Sequence, residues 1–435
     1  MSETKDERIH EFLVACRADQ FAFLTSIINV VSENPPGESQ ALCERVAEMI
    51  AQHELPVTIH ELPKEVVQGS AYENLANLVV RREFAPGPTV ALSTHLDTAP
   101  AGGQWKHDAF GAEIVDGRMY GRGTSEGKGD LAAYLYALLA LDSMADQLAG
   151  SVELHLTFDG MAGGELGVKW LLESEFVKPD LAIVPGAARA IGTASTGVLN
   201  LGVEIRGRSA PAGRPGSGAD AIEGAAPILG ALYDYRDSLG NLKSKIPGIA
   251  SPTMVITEIS GGASPLMVPD QVHFSIDRRV LPEEAPDTVE AEITNVIGRS
   301  AAQVPGVICK VRRRRLLPSF HNDDRTKAFA QVLAGHLENV VGEAPVEYGV
   351  SHETPARHYA NAGVPAILYG AGPDFLEPPM SVGPDEFLEL DDLRISTEVL
   401  SKAMADWLQG PQFQSDPAPE TEEATTFDEE PTATT

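Results

Sequence analysis

Cysteine is scarce. Only Cys16, Cys43 and Cys309 occur in 435 residues, far apart and with no CxxC pair. A disulfide framework and a cysteine-based metal knuckle are therefore not expected, and a reducing, cytoplasmic setting fits. Long hydrophobic runs are absent as well. No stretch of 18 apolar residues exists, and no charged-then-apolar leader follows Met1, which argues against a membrane span and a secretory signal. Positive charge is thin. Lys and Arg number 33 against 63 Asp and Glu, a net charge of −30. Nucleic-acid binding needs a basic surface, so it is disfavoured. The length exceeds one small domain, and two compact domains are the default.

Apolar spacing then gives the elements. Ile9, Phe12, Leu13 and Cys16, and again Phe23, Leu24, Ile27 and Ile28, recur at helical spacing. Residues 34–38 break this pattern, and Leu42, Val46, Met49 and Ile50 mark a second helix, so the first 60 residues read as helical. Strands are expected at 78–80 and 90–93, and a buried helix at 131–141. Val152, Leu154, Leu156 and Phe158 alternate with polar residues, as in a strand, and 181–184 is a short buried strand. Such alternation predicts an α/β domain.

From 198 the rhythm changes. Strand 198–205, helix 220–239, strands 254–259 and 272–276, helix 289–302 and strand 307–311 describe a small ferredoxin-like α+β unit. The α/β pattern resumes with a helix at 327–340, a strand at 366–369 and a helix at 391–408. The expected organisation is thus a discontinuous α/β domain, 1–195 and 313–410, with an inserted α+β lid, 196–312. Residues 411–435 carry seven acids and no base, a composition that predicts a disordered acidic tail.

His95 and Asp97 in H-x-D spacing, Trp105, Phe110 and the run Asp116, Gly117, Tyr120, Gly121, Arg122, Gly123 form a specific ordered set. With Lys128 and Gly129 they resemble the acetylornithine deacetylase, succinyl-diaminopimelate desuccinylase and carboxypeptidase G family, whose signature reads H-x-D, W, PF, DGxxYGRGxxDxKG. The resemblance runs from about residue 8 to 410 and includes Val268, Pro269, Asp270, Asp277, Arg278 and Pro384 to Glu386.

The resemblance implies a dinuclear zinc hydrolase that dimerises through the inserted domain. Each zinc needs about three protein ligands besides the attacking water. Here this sequence departs from the family. His95 is kept as a ligand, and Asp97 as the carboxylate that orients it. The bridging aspartate is Glu126. Gly160 stands at the general base, Met161 and Gly186 at two carboxylate ligands, and Val382 at the last imidazole. In the lid, Pro211 and Leu266 replace the histidine and asparagine that reach the reacting carbonyl.

The remaining candidates each carry two readings. His95 and Asp97 are either a residual metal site, with Glu126 as a weak second ligand, or a hydrogen-bonded pair kept for packing. His352 and Glu353 are either new ligands or an acid–base pair, or ordinary loop residues. Arg279 and Arg357 either grip a ligand carboxylate or form structural ion pairs. The basic run 312–315 reads as a solvated sheet edge, and Lys128 as support for the turn after Gly123. These substitutions lead to a catalytically degenerate homologue, a dimer binding a small carboxylate or a protein partner with no zinc or weakly bound zinc. The alternative is an active deacylase with a rebuilt, mononuclear site.

Overall fold

A computed structural model describes residues 4–409 apart from 36, 38, 263, 323 and 374–382. The expectations for Val382 and for the acidic tail 411–435 fall outside the described residues.

The body is built on a nine-stranded sheet. Its strands are β1 (Val57–Glu61), β2 (Ala76–Ala85), β3 (Thr89–His95), β6 (Gly150–Thr157), β7 (Leu181–Val184), β8 (Ala190–Ser195), β13 (Phe320–His321), β14 (Val346–Val350) and β15 (Ala366–Leu368). Their order is β1-β2-β6-β3-β7-β15-β8-β13, with β14 also on β8. The centre, β6-β3-β7-β15, is parallel. Parallel strands have both faces covered. On one face lie α1 (Lys5–Ile28), α4 (Lys128–Asp142), α8 (Asp324–Val341) and α10 (Leu390–Trp407), packed on Val90, Leu92, Leu154 and Ile183. On the other, α5 (Val168–Glu173) and α9 (Ala356–Asn361) cover Ala91, Ala182 and Val184. Successive residues of β3 and β7 thus serve opposite cores, as the strand period of two requires.

The polar set of β6 is buried too. Glu153 accepts from Arg81 and lies 2.7 Å from His155 Nε2, while His155 Nδ1 lies 2.7 Å from Tyr359 Oη. Alternation along β6 reflects two differently satisfied faces; neither is open to water.

The lid is a four-stranded antiparallel sheet in the order β10-β11-β9-β12. Its strands are β9 (Gly197–Arg206), β10 (Thr253–Gly261), β11 (Gln271–Val280) and β12 (Ile308–Leu317), backed by α6 (Ala221–Ser238) and α7 (Pro286–Ala301). This is the ferredoxin-like arrangement. Strand β12 runs through the 312/313 boundary read from the sequence, so Arg313, Arg314 and Arg315 belong to the lid sheet. Leu199, Leu201, Val203 and Ile205 of β9 are buried against both helices inside the lid.

Candidate functional site

The carboxyl ends of the parallel strands converge on one cavity, the usual place for a site in an open α/β sheet. Its volume is about 430 Å³. His95 ends β3, Asp159 to Met161 follow β6, Gly186 follows β7, and Gly372 and Pro373 follow β15. The lid contributes Gly248, and the loop after β14 contributes His352 and Glu353.

His95 is held from behind. Its Nδ1 lies 3.2 Å from Asp97 Oδ1 and 3.1 Å from the Asp97 carbonyl oxygen, and its Nε2 lies 3.5 Å from Glu126 Oε1. Burial disfavours the imidazolium, but the two carboxylates outweigh it and hold its pKa well above the ordinary value. Glu126 reaches His95 because Gly127 takes φ +83°. A Cβ there would lie 2.3 Å from the His95 carbonyl oxygen.

Asp97 is saturated with donors. Gly160 N–H (2.8 Å), Met161 N–H (2.9 Å) and the Asn34 amide (2.8 Å) all donate to it. Burial works against its charge, yet His95, Asn34 and the Met161 N–H keep its pKa below the ordinary carboxylate value. The loop that resembles the family's acid-rich turn thus presents backbone N–H groups to Asp97.

Tested against this geometry, the two-zinc centre implied by the resemblance does not fit. A Cβ on Gly160 would lie 2.1 Å from His95 Cγ, so the imidazole fills the space where a base at 160 would begin. A Cβ on Gly186 would lie 2.6 Å from the Leu368 carbonyl carbon and 2.7 Å from Tyr369 N, so strand-end backbone closes that position as well. Met161 offers only a thioether to the cavity, a poor ligand for zinc beside oxygen and nitrogen donors. Among the described residues no three His, Cys, Asp or Glu side chains are grouped to hold a metal ion.

His95, Asp97, Glu126, His352 and Glu353 all line the one cavity. Arg357 stands behind it, buried, donating to Glu353 (2.8 Å) and to the Gly163 carbonyl (2.5 Å). Arg279 is not brought there. It sits on β11 with its Nε 2.9 Å from Asp277 Oδ1. Pro211 and Leu266 lie in lid loops outside the cavity lining.

Sequence reasoning missed three charged groups. Asp130 lines the cavity from the first turn of α4, accepting from Gly127 N–H and Ala371 N–H (2.9 Å each), and burial pushes its pKa up to about 7. A carboxylate opening an otherwise apolar helix was the available signal. Glu386 is wholly buried, accepting from Gly123 N–H, Ser125 N–H, Ser125 Oγ and Arg122, and burial raises its pKa to about 7 despite them. Arg315 reaches in from β12 to Glu353, which a basic run on an edge strand did not announce.

A sequence pattern for Peptidase family M20/M25/M40 matches residues 91–406. The succinyl-diaminopimelate desuccinylase of Wolinella succinogenes is 26% identical over 310 residues, covering 69% of this chain and 80% of the relative. The acetylornithine deacetylase of Myxococcus xanthus is 28% identical over 325 residues, covering 74% and 80%. Among solved structures, a tripeptidase of Staphylococcus aureus superposes with TM-score 0.68 at 18% identity, covering 90% of this chain and 98% of that one. A di-peptidase of Saccharomyces cerevisiae gives TM-score 0.69 at 14% identity, covering 94% and 100%. The matched pattern spans well over half the chain, and the shared fold agrees with it. This chain belongs to the M20/M25/M40 peptidase family, a family of metal-dependent hydrolases acting on acyl amino acids or peptides.

Proposed function

We propose that this chain is a catalytically silent member of the family, a homodimer whose cavity binds a small carboxylate or whose surface binds a protein partner. The observation that carries the reading is the His95 ring standing where a side chain at position 160 would start. The family-type base has neither a residue nor room. Gly186 and the donor-saturated Asp97 support the same reading. In this view zinc is absent or weakly held by His95 and Glu126. Asp97, His352, Glu353, Arg357 and Arg279 serve binding or structure. The body comprises 1–195 and 313–410 and the lid 196–312, except that 313–317, the end of β12, go with the lid. Net charge −30 and the lack, among the described residues, of any helix long and apolar enough to cross a membrane favour a cytoplasmic protein that avoids nucleic acid and membranes.

Elemental analysis of purified protein, run beside hydrolysis of N-acetyl and N-succinyl amino acids, tests the proposal. The expected result is less than one tightly held metal per chain and hydrolysis near background. Loss of a general base alone removes about 10² to 10⁴ in rate. Two tightly held metals, or turnover of order 1 per second that His95→Ala abolishes, would refute it.

A second reading has one observation in its favour. His95 Nε2 and Glu126 Oε1 meet 3.5 Å apart at the cavity with Asp97 behind the ring. A hydrolase with a rebuilt, mononuclear site would use that pair, and added zinc would then raise activity with one-to-one stoichiometry.

A further inference from the structure

Two guanidinium groups converge on one carboxylate at the cavity wall. Arg315 donates through Nη1 to Glu353 Oε1 (2.9 Å) and through Nη2 to Glu353 Oε2 (3.2 Å), a bidentate contact. Arg357 donates through Nη1 to the same Oε2 (2.8 Å). The three residues come from three places. Arg315 lies on lid strand β12, Glu353 on the loop after β14 and Arg357 on α9 of the body. Arg357 and His358 also both contact the Gly163 carbonyl oxygen, at 2.5 and 2.9 Å, which ties the turn after β6 to α9. Gly163 adopts φ +100°, a conformation that favours glycine, and a Cβ there would lie 2.7 Å from Arg315 Nη2.

The charges are uneven. Two cations share one anion, and the neighbouring Glu165 is engaged by Lys169 at 2.6 Å. Arg357 is only 4% exposed, and its Nε has no hydrogen-bond partner among the described residues. A buried guanidinium with an unused N–H and half a carboxylate is built to take more anionic oxygen than it has. Glu353 itself lines the cavity. Close by, the lid touches the body again, where Gly349 N–H donates to the Pro247 carbonyl oxygen at 2.8 Å.

We propose that Arg315 and Arg357 form a carboxylate-binding fork that Glu353 occupies from within, and that this occupancy latches the lid to the body over the cavity. The inference rests on the reading that the cavity takes a small carboxylate, and it adds what such a ligand must do. The ligand's carboxylate competes with Glu353 for the fork. Binding therefore displaces Glu353, the built-in competitor, from the lid arginine. Arg315 is the lid-side residue on which the competition depends.

Succinate serves as the probe, titrated calorimetrically at fixed low ionic strength into full-length wild type, Glu353→Gln and Arg315→Gln, with amide hydrogen exchange followed over residues 246–250 and 308–317. Glu353→Gln keeps an oxygen for Arg357 while removing the competing charge. Its succinate affinity is expected to rise about tenfold or more, and exchange in both lid segments to quicken. Arg315→Gln leaves the Glu353–Arg357 pair in place. It is expected to quicken the same exchange and to weaken succinate binding, and it carries the test should Glu353→Gln fail to fold. Succinate bound equally by wild type and Glu353→Gln overturns the fork while leaving the carboxylate-binding reading intact. Uptake by Glu353→Gln but not wild type supports the fork and removes wild type as a carboxylate binder. Uptake by none of the three overturns both. Exchange unchanged in both variants overturns the latch.

Discussion

Asp130 is a carboxyl group at the buried start of an apolar helix, and its environment gives a pH dependence with a definite sign. Burial pushes its pKa from the ordinary 3.8 to about 7, against two backbone N–H donors. Between those values the folded chain binds more proton than the unfolded chain, so stability falls as pH rises through that window. The wild type is expected to lose of order 2–4 kcal/mol from this group between about pH 4 and pH 8. Asp130→Asn removes the slope. It also turns an NH₂ toward one of the two N–H groups, at a pH-independent cost of about 1–3 kcal/mol. Urea unfolding of both proteins across that range should therefore give curves that converge as pH rises; parallel curves would place the titration elsewhere. The same scale shows what a sequence can tell. That Gly160, Met161 and Gly186 carry no carboxylate is legible, because the functional group of a side chain is visible in one letter. That the His95 ring stands where a side chain at 160 would begin was not visible, because it depends on how neighbours pack in three dimensions.

At the scale of elements, legibility followed large buried apolar side chains; β8 (Ala190–Ser195), wholly buried but built mostly of small and polar residues, was missed. The expected apolar helix at 131–141 is the core of α4, in which only Leu139 and Asp142 escape full burial. The strand at 181–184 coincides with β7, and the six elements of the lid appear in the expected order. Strands β1 and β14 were missed, since each is five residues long and half of it faces water, leaving no apolar period to read. The basic run 312–315, read as a sheet edge, does lie on the edge strand β12, but the domain boundary at 312/313 fell inside that strand, and its arginines are held by ion pairs, Arg313 with Asp287 and Glu290 and Arg315 with Glu353. Because α4 joins α1, α10 and the sheet in one core, shortening a fully buried side chain there opens a cavity that cannot readily close. Leu135→Ala is expected to cost about 2–5 kcal/mol. Leu139→Ala, at a half-buried position on the same helix, should cost clearly less. Equal losses in denaturant titrations of the two variants would contradict the packing described.

For the whole molecule, net charge −30 sets copies of the chain against one another, so association needs an apolar surface to offset the repulsion. The apolar stripe from Leu199 to Ile205 does not provide it: strand β9 lies between β11 and β12, and its apolar side chains are consumed by α6 and α7 inside the lid. One edge of the lid sheet is β10. Among the described residues it pairs only with β11, so one row of its backbone N–H and C=O groups is open, and Val255 and Ile259 on it are 55% and 57% exposed. An edge strand of nine residues with exposed β-branched side chains is a template for a second copy. Antiparallel pairing of β10 with its equivalent would join the two lids into one sheet and cover the same patch on both chains, as two-fold symmetry requires. Light scattering at micromolar concentration is expected to give about twice the chain mass of 46.3 kDa for the wild type. Ile259→Asp adds a charge to each side of the pairing and should return the mass to that of one chain. Its melting temperature should fall little beyond what loss of the partner accounts for, because Ile259 is 57% exposed within its own chain. A wild type that scatters as a single chain, or an Ile259→Asp protein that stays double, would remove β10 as the dimer edge.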